Sequence, residues 1–325
     1  MNRSSIPSGP GPSPTECNYA PPGEFIKDHT LLFHEGWWHL FSISGVEGYW
    51  HACNGNEETF SWSISRDLVN WEMRGHVLHA SQREGAFDQH EVWAPNVVKA
   101  GERFFMFYTG IVHPHRPMVY GKPGPDHRWI YEGHRETIGV AVATDLTDWT
   151  KVSDFARGAG VPGRDPHVVW DDAGQRWLLY TTGGRSEDGL HHVYVSSSSD
   201  LLSWRVEGTC AWFPDLPDHR QGNNESLTVM RHPLDGTWIM LANWQYQVSD
   251  DPLHFPPRTA RVHPPLEASP PVDLGLAGEM ISWRGRWYRS GFFGPTRANA
   301  TRLGFTEIAW IRGGAFQVTR SSAIV

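Results

Sequence analysis

The feature that most constrains the fold of this chain is an internal repeat. An aromatic run recurs five times, each time at or just after a turn-forming segment: EGWWHLFSIS (35–44), GERFFMFYTG (101–110), AGQRWLLYTT (173–182), DGTWIMLANW (235–244) and RGRWYRSGFF (284–293). Each copy is preceded by a second short apolar run, HTLLFH, WAPNVVKA, PHVVWDD, SLTVMRH or GEMISW. Two such runs around a turn read as a β-hairpin. A third marker follows three of the copies, as SRDLVNWE (65–72), ATDLTDWT (143–150) and SSDLLSWR (198–205). Its Asp can accept hydrogen bonds from nearby backbone in a tight turn, while Leu and Trp at fixed offsets pack between neighbouring sheets. Radial repetition of a four-stranded unit gives a propeller, which leaves only short sheet edges. The sequence therefore predicts an all-β fold, a single five-bladed β-propeller with four-stranded antiparallel blades over residues 25–325, preceded by a flexible tail over 1–24. A β-sandwich gives no reason for a paired hairpin and a DLxxW marker to repeat in the same order.

Composition agrees, with 17 Trp, 33 Gly and 24 Pro in 325 residues, as expected for aromatic strands separated by turns. The formal charge of -8 and the lack of any Lys/Arg run point away from nucleic acid and anionic membranes as partners, and towards a neutral small molecule. Cys17, Cys53 and Cys210 are odd in number and far apart, which suits neither a disulfide framework nor a CxxC-type zinc site. A reducing, cytoplasmic compartment follows as the expectation. The N-terminal MNRSSIPSGPGPSPTEC has no apolar stretch of the kind a signal peptide or membrane anchor requires.

An acidic residue stands at or near the start of every predicted inner strand: Asp28, Glu91, Asp165, Glu225 and Glu279. A propeller brings these starts to one central channel, on the face that also gathers the loops 45–59, 111–136 and 183–192. Carboxylates crowded in a partly dry cleft repel one another, so one pKa rises while another stays low. That split supplies an acid and a base or nucleophile, the pair that glycosidic cleavage needs. Asp28, Asp165 and Glu225 are the expected catalytic residues. His29, Trp50, His90, Glu91, Trp93, Arg164, His167, Asn224 and Glu279 are the expected substrate-binding residues. Tyr49, His51, Trp129 and Tyr131 are further candidates for a stacking wall, and Asn223 for a partner of Glu225. Trp38, Trp71, Trp149, Trp177, Trp204, Trp238 and Trp287 are read as blade packing. The 18 histidines include His29, His90 and His167 close to the acids, but no ligand motif such as HExxH occurs. The expectation is therefore no metal and no cofactor, with these histidines hydrogen-bonding substrate or buried polar groups.

Over residues 24–320 the chain resembles the five-bladed propeller glycoside hydrolases of families 43, 32 and 68. VWAPNVVKAGERFFMFYTG is similar to the second-blade signature of family 43, and GRDPHVVWDDAGQRWLLYTTG to the Arg-Asp-Pro segment of family 32. The resemblance implies that Asp28 is the general base or nucleophile, Asp165 the stabiliser of charge at the sugar ring, and Glu225 the general acid. The long upper loops favour a closed pocket over an open groove and so exo action on a short substrate, with a furanosyl or pentosyl unit, such as arabinofuranosyl, xylosyl or fructosyl, as the expected leaving sugar. Two contexts depart from the families: Asp28 is followed by His instead of Pro, and Glu225 sits in ESLT without a flanking Gly-Pro or Cys-Pro. These departures motivate two alternatives: the same fold turned to glycosyl transfer, phosphorolysis or natural-product tailoring, and a non-catalytic sugar-binding propeller.

Overall fold

The computed structural model describes residues 12–48, 56–113, 133–152, 160–185, 190–214, 225–243, 245–256, 260–261, 274–295 and 300–320. Within these residues the repeat resolves into five antiparallel meanders of four strands. Blade 1 holds β1 (His29–His34), β2 (Trp37–Ser44), β3 (Thr59–Ser65) and β4 (Trp71–His79). Blade 2 holds β5 (Glu91–Ala100), β6 (Arg103–Val112), β7 (Arg135–Ala143) and β8 (Thr150–Lys151). Blade 3 is β9 (Arg164–Asp171), β10 (Arg176–Arg185), β11 (Leu190–Ser198) and β12 (Arg205–Pro214). Blade 4 is β13 (Leu227–Arg231), β14 (Trp238–Ala242), β15 (Gln245–Ser249) and β16 (Ala260–Arg261). Blade 5 is β17 (Met280–Trp283), β18 (Arg286–Phe293), β19 (Arg302–Trp310) and β20 (Phe316–Arg320). The five aromatic runs of the sequence are the second strands, and the runs before them are the innermost strands. The segment 183–192, expected as a loop, is mostly strand, because β10 continues to Arg185 and β11 restarts at Leu190.

The DLxxW marker is one turn built three times. Asp67 Oδ1 accepts from the N–H groups of Val69 (2.9 Å) and Asn70 (2.8 Å), and Asp145 and Asp200 do the same in their copies. The Leu that follows adopts φ 67° in all three and is buried, while the Trp indole N–H returns to that Leu carbonyl at 3.1–3.2 Å. The buried Leu offsets the cost of the left-handed backbone. Blade 4 carries a fourth copy that keeps the Asp but has Pro252 in place of the Leu. There Asp251 Oδ1 accepts from Leu253 N–H at 2.9 Å, and the fully buried Phe255 replaces Trp.

Residues 12–24, expected as part of a flexible tail, are packed into the ring. Cys17 is buried, Tyr19 exchanges backbone hydrogen bonds with Leu303 (3.1 and 2.7 Å), and Ile26 N–H donates to Thr301 O at 3.0 Å. The segment therefore ties β19 of the last blade to the first. A ring of blades must be closed somewhere, and the apolar side chains Cys17, Tyr19 and Ile26 supply the seam.

The core is a set of clusters between blades. Among the tryptophans assigned to packing, Trp38 and Trp238 are buried, and Trp71, Trp149, Trp177, Trp204 and Trp287 lie half-buried against those clusters. Trp238 is fully buried, with the Arg231 guanidinium 4.3 Å from its ring. Trp238→Ala is expected to lower the free energy of unfolding by about 3–5 kcal/mol, measured as a drop in the denaturation midpoint. A change below about 1 kcal/mol would contradict the packing described.

Candidate active site

The cleft is built by a local device repeated in neighbouring blades. At the entry to four inner strands the backbone turns through a non-glycine residue of positive φ: Ala94 (47°), Asp165 (53°), Ser226 (54°) and Ala277 (50°). In blades 2 and 3 a proline follows at once, as Ala94-Pro95 and Asp165-Pro166, and the register to the next strand slips between Trp93 and Asn96 and across Thr182 and Tyr180. Such a bulge re-aims side chains at the end of a strand. With Asp28 in blade 1, these residues form one ring around the axis, and all five line the narrow channel below the cleft.

The residues one step earlier, Lys27, Trp93, Arg164 and Glu225, line the open cleft above, a space of about 400 Å³. Ile43, Glu57, His134 and Glu136 complete its wall together with Asp28 and Asp165. The residues two steps beyond the ring, Thr30, Asn96, His167, Thr228 and Glu279, point into the channel or its walls and staple the blades. Thr30 Oγ1 accepts from Val97 N–H (3.4 Å), Asn96 Oδ1 from Val168 N–H (2.9 Å), and His167 Nε2 donates to Val229 O (3.0 Å). Thr228 Oγ1 donates to Gly278 O (2.7 Å), and Glu279 Oε2 accepts from Leu31 N–H (2.7 Å), which completes the circuit.

The three expected catalytic carboxylates converge on this cleft from blades 1, 3 and 4. Ser226 joins two of them: its Oγ donates to Asp28 Oδ2 at 2.9 Å and its N–H to Asp165 Oδ2 at 3.1 Å. Thr109 Oγ1 accepts from Asp165 N–H at 3.0 Å and holds the strained residue in place. Arg164 reaches three carboxylates, with Glu225 at 3.0 Å, Glu136 at 3.3 Å and Asp165 at 3.5 Å. Lys27 pairs with Glu57 at 2.6 Å on the opposite wall.

Burial, followed by the charges of Asp165 and Glu225, pushes the Asp28 carboxyl well above its ordinary range, against the Ser226 hydrogen bond and Lys27. Burial pushes Asp165 up to about 7; Arg164 and the Ser226 N–H pull it down, while Glu225 and Glu136 add to the rise. Glu136 is held below its usual value, because His134 and Arg164 outweigh its burial. Burial alone would depress Arg164, but the charges of Asp165, Glu225 and Glu136 raise it and keep the guanidinium charged. Two buried carboxyls that resist ionisation thus stand beside a third, Glu225, whose side chain is 39% exposed at the mouth. This is an arrangement for acid and base chemistry on a neutral substrate.

The expected binding residues divide. Trp93 and Arg164 line the cleft. His29, His167 and Glu279 lie in the channel beneath it and serve the blade circuit. Burial pushes both His29 and His167 down to about 4, so both are neutral. Neutral His29 donates from Nδ1 to Lys27 O (3.1 Å) and accepts at Nε2 from Ser290 Oγ (2.8 Å). Burial raises Glu279 to about 7. Glu91 is sealed with His113, 2.9 Å away, both side chains fully buried, and His90 Nδ1 accepts from His113 N–H at 2.9 Å. Neither His90 nor Glu91 is among the cleft-lining residues. Trp50 and Asn224 lie outside the described residues, as do Tyr49, His51, Trp129, Tyr131 and Asn223. The expectation that all five acids reach one central channel is therefore corrected for Glu91. Glu91 falls three residues before the ring position of its blade, Glu225 one before and Glu279 two after, so only Asp28 and Asp165 are equivalent. Lys27, Glu57, His134 and Glu136 were not anticipated. Lys27 had a signal, since it precedes Asp28 as Arg164 precedes Asp165.

A five-bladed propeller with three carboxylates converging on an axial cleft defines a protein of the glycoside hydrolase type. The sequence profile for "Glycosyl hydrolases family 43" matches residues 41–203, half of the chain, and the chain belongs to that family. It is similar to the probable sucrose-6-phosphate hydrolase of Psychromonas ingrahamii, at 26% identity over 212 residues, 62% of this chain and 34% of that protein. The chain thus spans about a third of the length of that curated relative. Among solved structures, the RS223 β-xylosidase superposes with a TM-score of 0.65 at 14% identity, covering 93% of this chain and 98% of its own. The family 32 β-fructofuranosidase of Bombyx mori gives 0.61 at 16% identity, covering 96% and 67%. These two likenesses establish the fold.

Proposed function

We propose that this protein is an exo-acting glycosidase that removes a terminal furanosyl or pentosyl unit from a small glycoside. The observation that carries the reading is the convergence of Asp28, Asp165 and Glu225 on one cleft of about 400 Å³, a volume suited to a small ligand. Glu225, the most exposed of the three, protonates the departing glycosidic oxygen at the mouth, where a leaving group has room to exit. Asp28, deeper and steered by Ser226 and Lys27, acts in its ionised form, reached as pH rises through its raised pKa, and either takes a proton from the attacking water or attacks the anomeric carbon itself. Asp165 faces the sugar ring as positive charge develops there, and Arg164 holds it against Glu225. Trp93 offers an apolar wall for the ring.

The substrate class is supported by the names of the relatives, a sucrose-6-phosphate hydrolase, a β-fructofuranosidase and a β-xylosidase. A neutral sugar ligand and a reducing, cytoplasmic setting belong to the same reading. They are supported by the charge of -8 and by Cys17 and Cys210, both buried as free thiols. No described helix is long and apolar enough to cross a membrane.

A panel of aryl arabinofuranosides, xylosides and galactosides, together with sucrose and short fructosides, tests the proposal. Turnover of one furanosyl or pentosyl member is expected. A folded protein that turns over nothing in the panel would defeat it.

A further inference from the structure

A second cavity, of about 340 Å³, opens between blades 1 and 2 away from the catalytic cleft. Its walls include Arg83, Phe87, Asp88, Arg135 and Lys151. The loop that frames it is pinned to itself by backbone hydrogen bonds: Ser81 N–H donates to Asp88 O (2.9 Å), Gln82 N–H to Gln89 O (3.1 Å) and Ala86 N–H to Arg83 O (3.0 Å). Phe87 seats this loop on the backbone of β6 and β7. A Cβ on Gly110 or Gly139 would lie 2.6 or 2.5 Å from the Phe87 ring, so both positions require glycine.

The charges in the cavity do not cancel. Asp88 is buried and fully engaged, accepting from Ser81 Oγ (2.6 Å), Tyr108 Oη (3.0 Å) and Lys151 Nζ (2.5 Å). It neutralises Lys151. Arg83 and Arg135 are exposed and form no ion pair among the described residues. Two guanidinium groups thus face one preformed cavity on a chain whose net charge is -8. Strand alternation sets the relation to the cleft: along β7, Glu136 faces the cleft, while Arg135 and Thr137 face this cavity. A guanidinium fork matches the oxygens of a carboxylate or phosphate, and the space suits a small ligand such as a sugar.

We propose that this inter-blade cavity is a second ligand site for an oxyanion carried on a sugar, either a uronate carboxylate or a phosphate ester. The site does not depend on the glycosidase reading, because none of its residues takes part in the cleft. Calorimetric titration of the full chain with glucuronate, glucose 6-phosphate and uncharged glucose tests it, in the wild type and in the Arg83→Ala/Arg135→Ala double variant. Both side chains are exposed and outside any ion pair among the described residues, so the variant is expected to keep the wild-type melting temperature. Saturable binding of one charged sugar, absent for glucose and weakened at least about tenfold in the double variant, is the expected result. Which sugar binds identifies the source of the oxyanion. Thr137→Trp, which fills the cavity and leaves its charges in place, is expected to weaken the same binding. Failure of both charged sugars to bind, or binding unchanged in the variants, overturns the proposal.

Discussion

Asp28→Asn is expected to lower kcat by about 10²–10⁴-fold, the usual worth of a positioned acid or base, while the protein becomes more stable at alkaline pH. The amide oxygen can still accept from Ser226 Oγ, so the cleft geometry survives. The stability effect follows from the raised Asp28 pKa. A carboxyl whose folded pKa lies above its unfolded value binds more protons in the folded state. The folded protein therefore loses stability as pH rises from the ordinary carboxylate range through the raised pKa. Asn cannot ionise and escapes that loss. At pH 8 the variant should melt above the wild type, and near pH 4, where Asp28 is protonated in the folded protein, the difference should shrink. Equal melting temperatures at pH 8 would show that Asp28 is not held against ionisation.

Arg164→Met should have the second largest effect, and a different signature. Arg164 is the only cation within 4 Å of Asp165 and Glu225 among the described residues, and it also bonds Glu136. Without it, Asp165, already pushed up to about 7 by burial, rises further. The acidic limb of the pH–rate profile should therefore move to higher pH. Activity at pH 7 should fall at least about 10²-fold, as expected when a preorganised charge is removed. The cost in stability should stay at or below about 3 kcal/mol, because Glu225 is 39% exposed and water takes over part of the lost interaction. A uniform drop in rate with the profile unmoved would mean that Arg164 acts only on substrate binding.

The propeller was legible because its markers are local. Asp67, Asp145 and Asp200 each close their own turn, and each buried Leu and Trp packs at a fixed distance along the chain. The fourth turn escaped because Phe255 stands in place of the Trp and Pro252 in place of the Leu, although the spacing is kept and Asp251 makes the same bond. The seam was missed for another reason: the bridge from Tyr19 to Leu303 joins residues 284 apart, and no local pattern announces it.

The site was legible in part. Asp28, Asp165 and Arg164 sit where the motifs place them, since Asp165-Pro166 is both a sequence motif and the bulge that turns a carboxylate into the cleft. Glu279 reaches the channel as expected, but the reading of Glu91 missed because a bulge in β5 breaks the two-residue period, so distance from an apolar run no longer tells which way a side chain faces. Glu57 and Glu136 enter from the starts of β3 and β7, strands two steps out from the axis, and only the folded ring brings them to Lys27 and Arg164.

The most direct test of the central claim, that these carboxylates break a glycosidic bond with Glu225 giving the proton, compares two leaving groups. For the sugar identified by the panel, release would be followed from a glycoside with a sugar or alkyl leaving group and from one with dinitrophenol, by wild type and folded Glu225→Gln. A leaving group that departs as a stable anion needs little protonation, so the variant should lose about 10²–10⁴-fold on the first substrate and far less on the second. Equal losses on both, or none on either, would contradict the assignment.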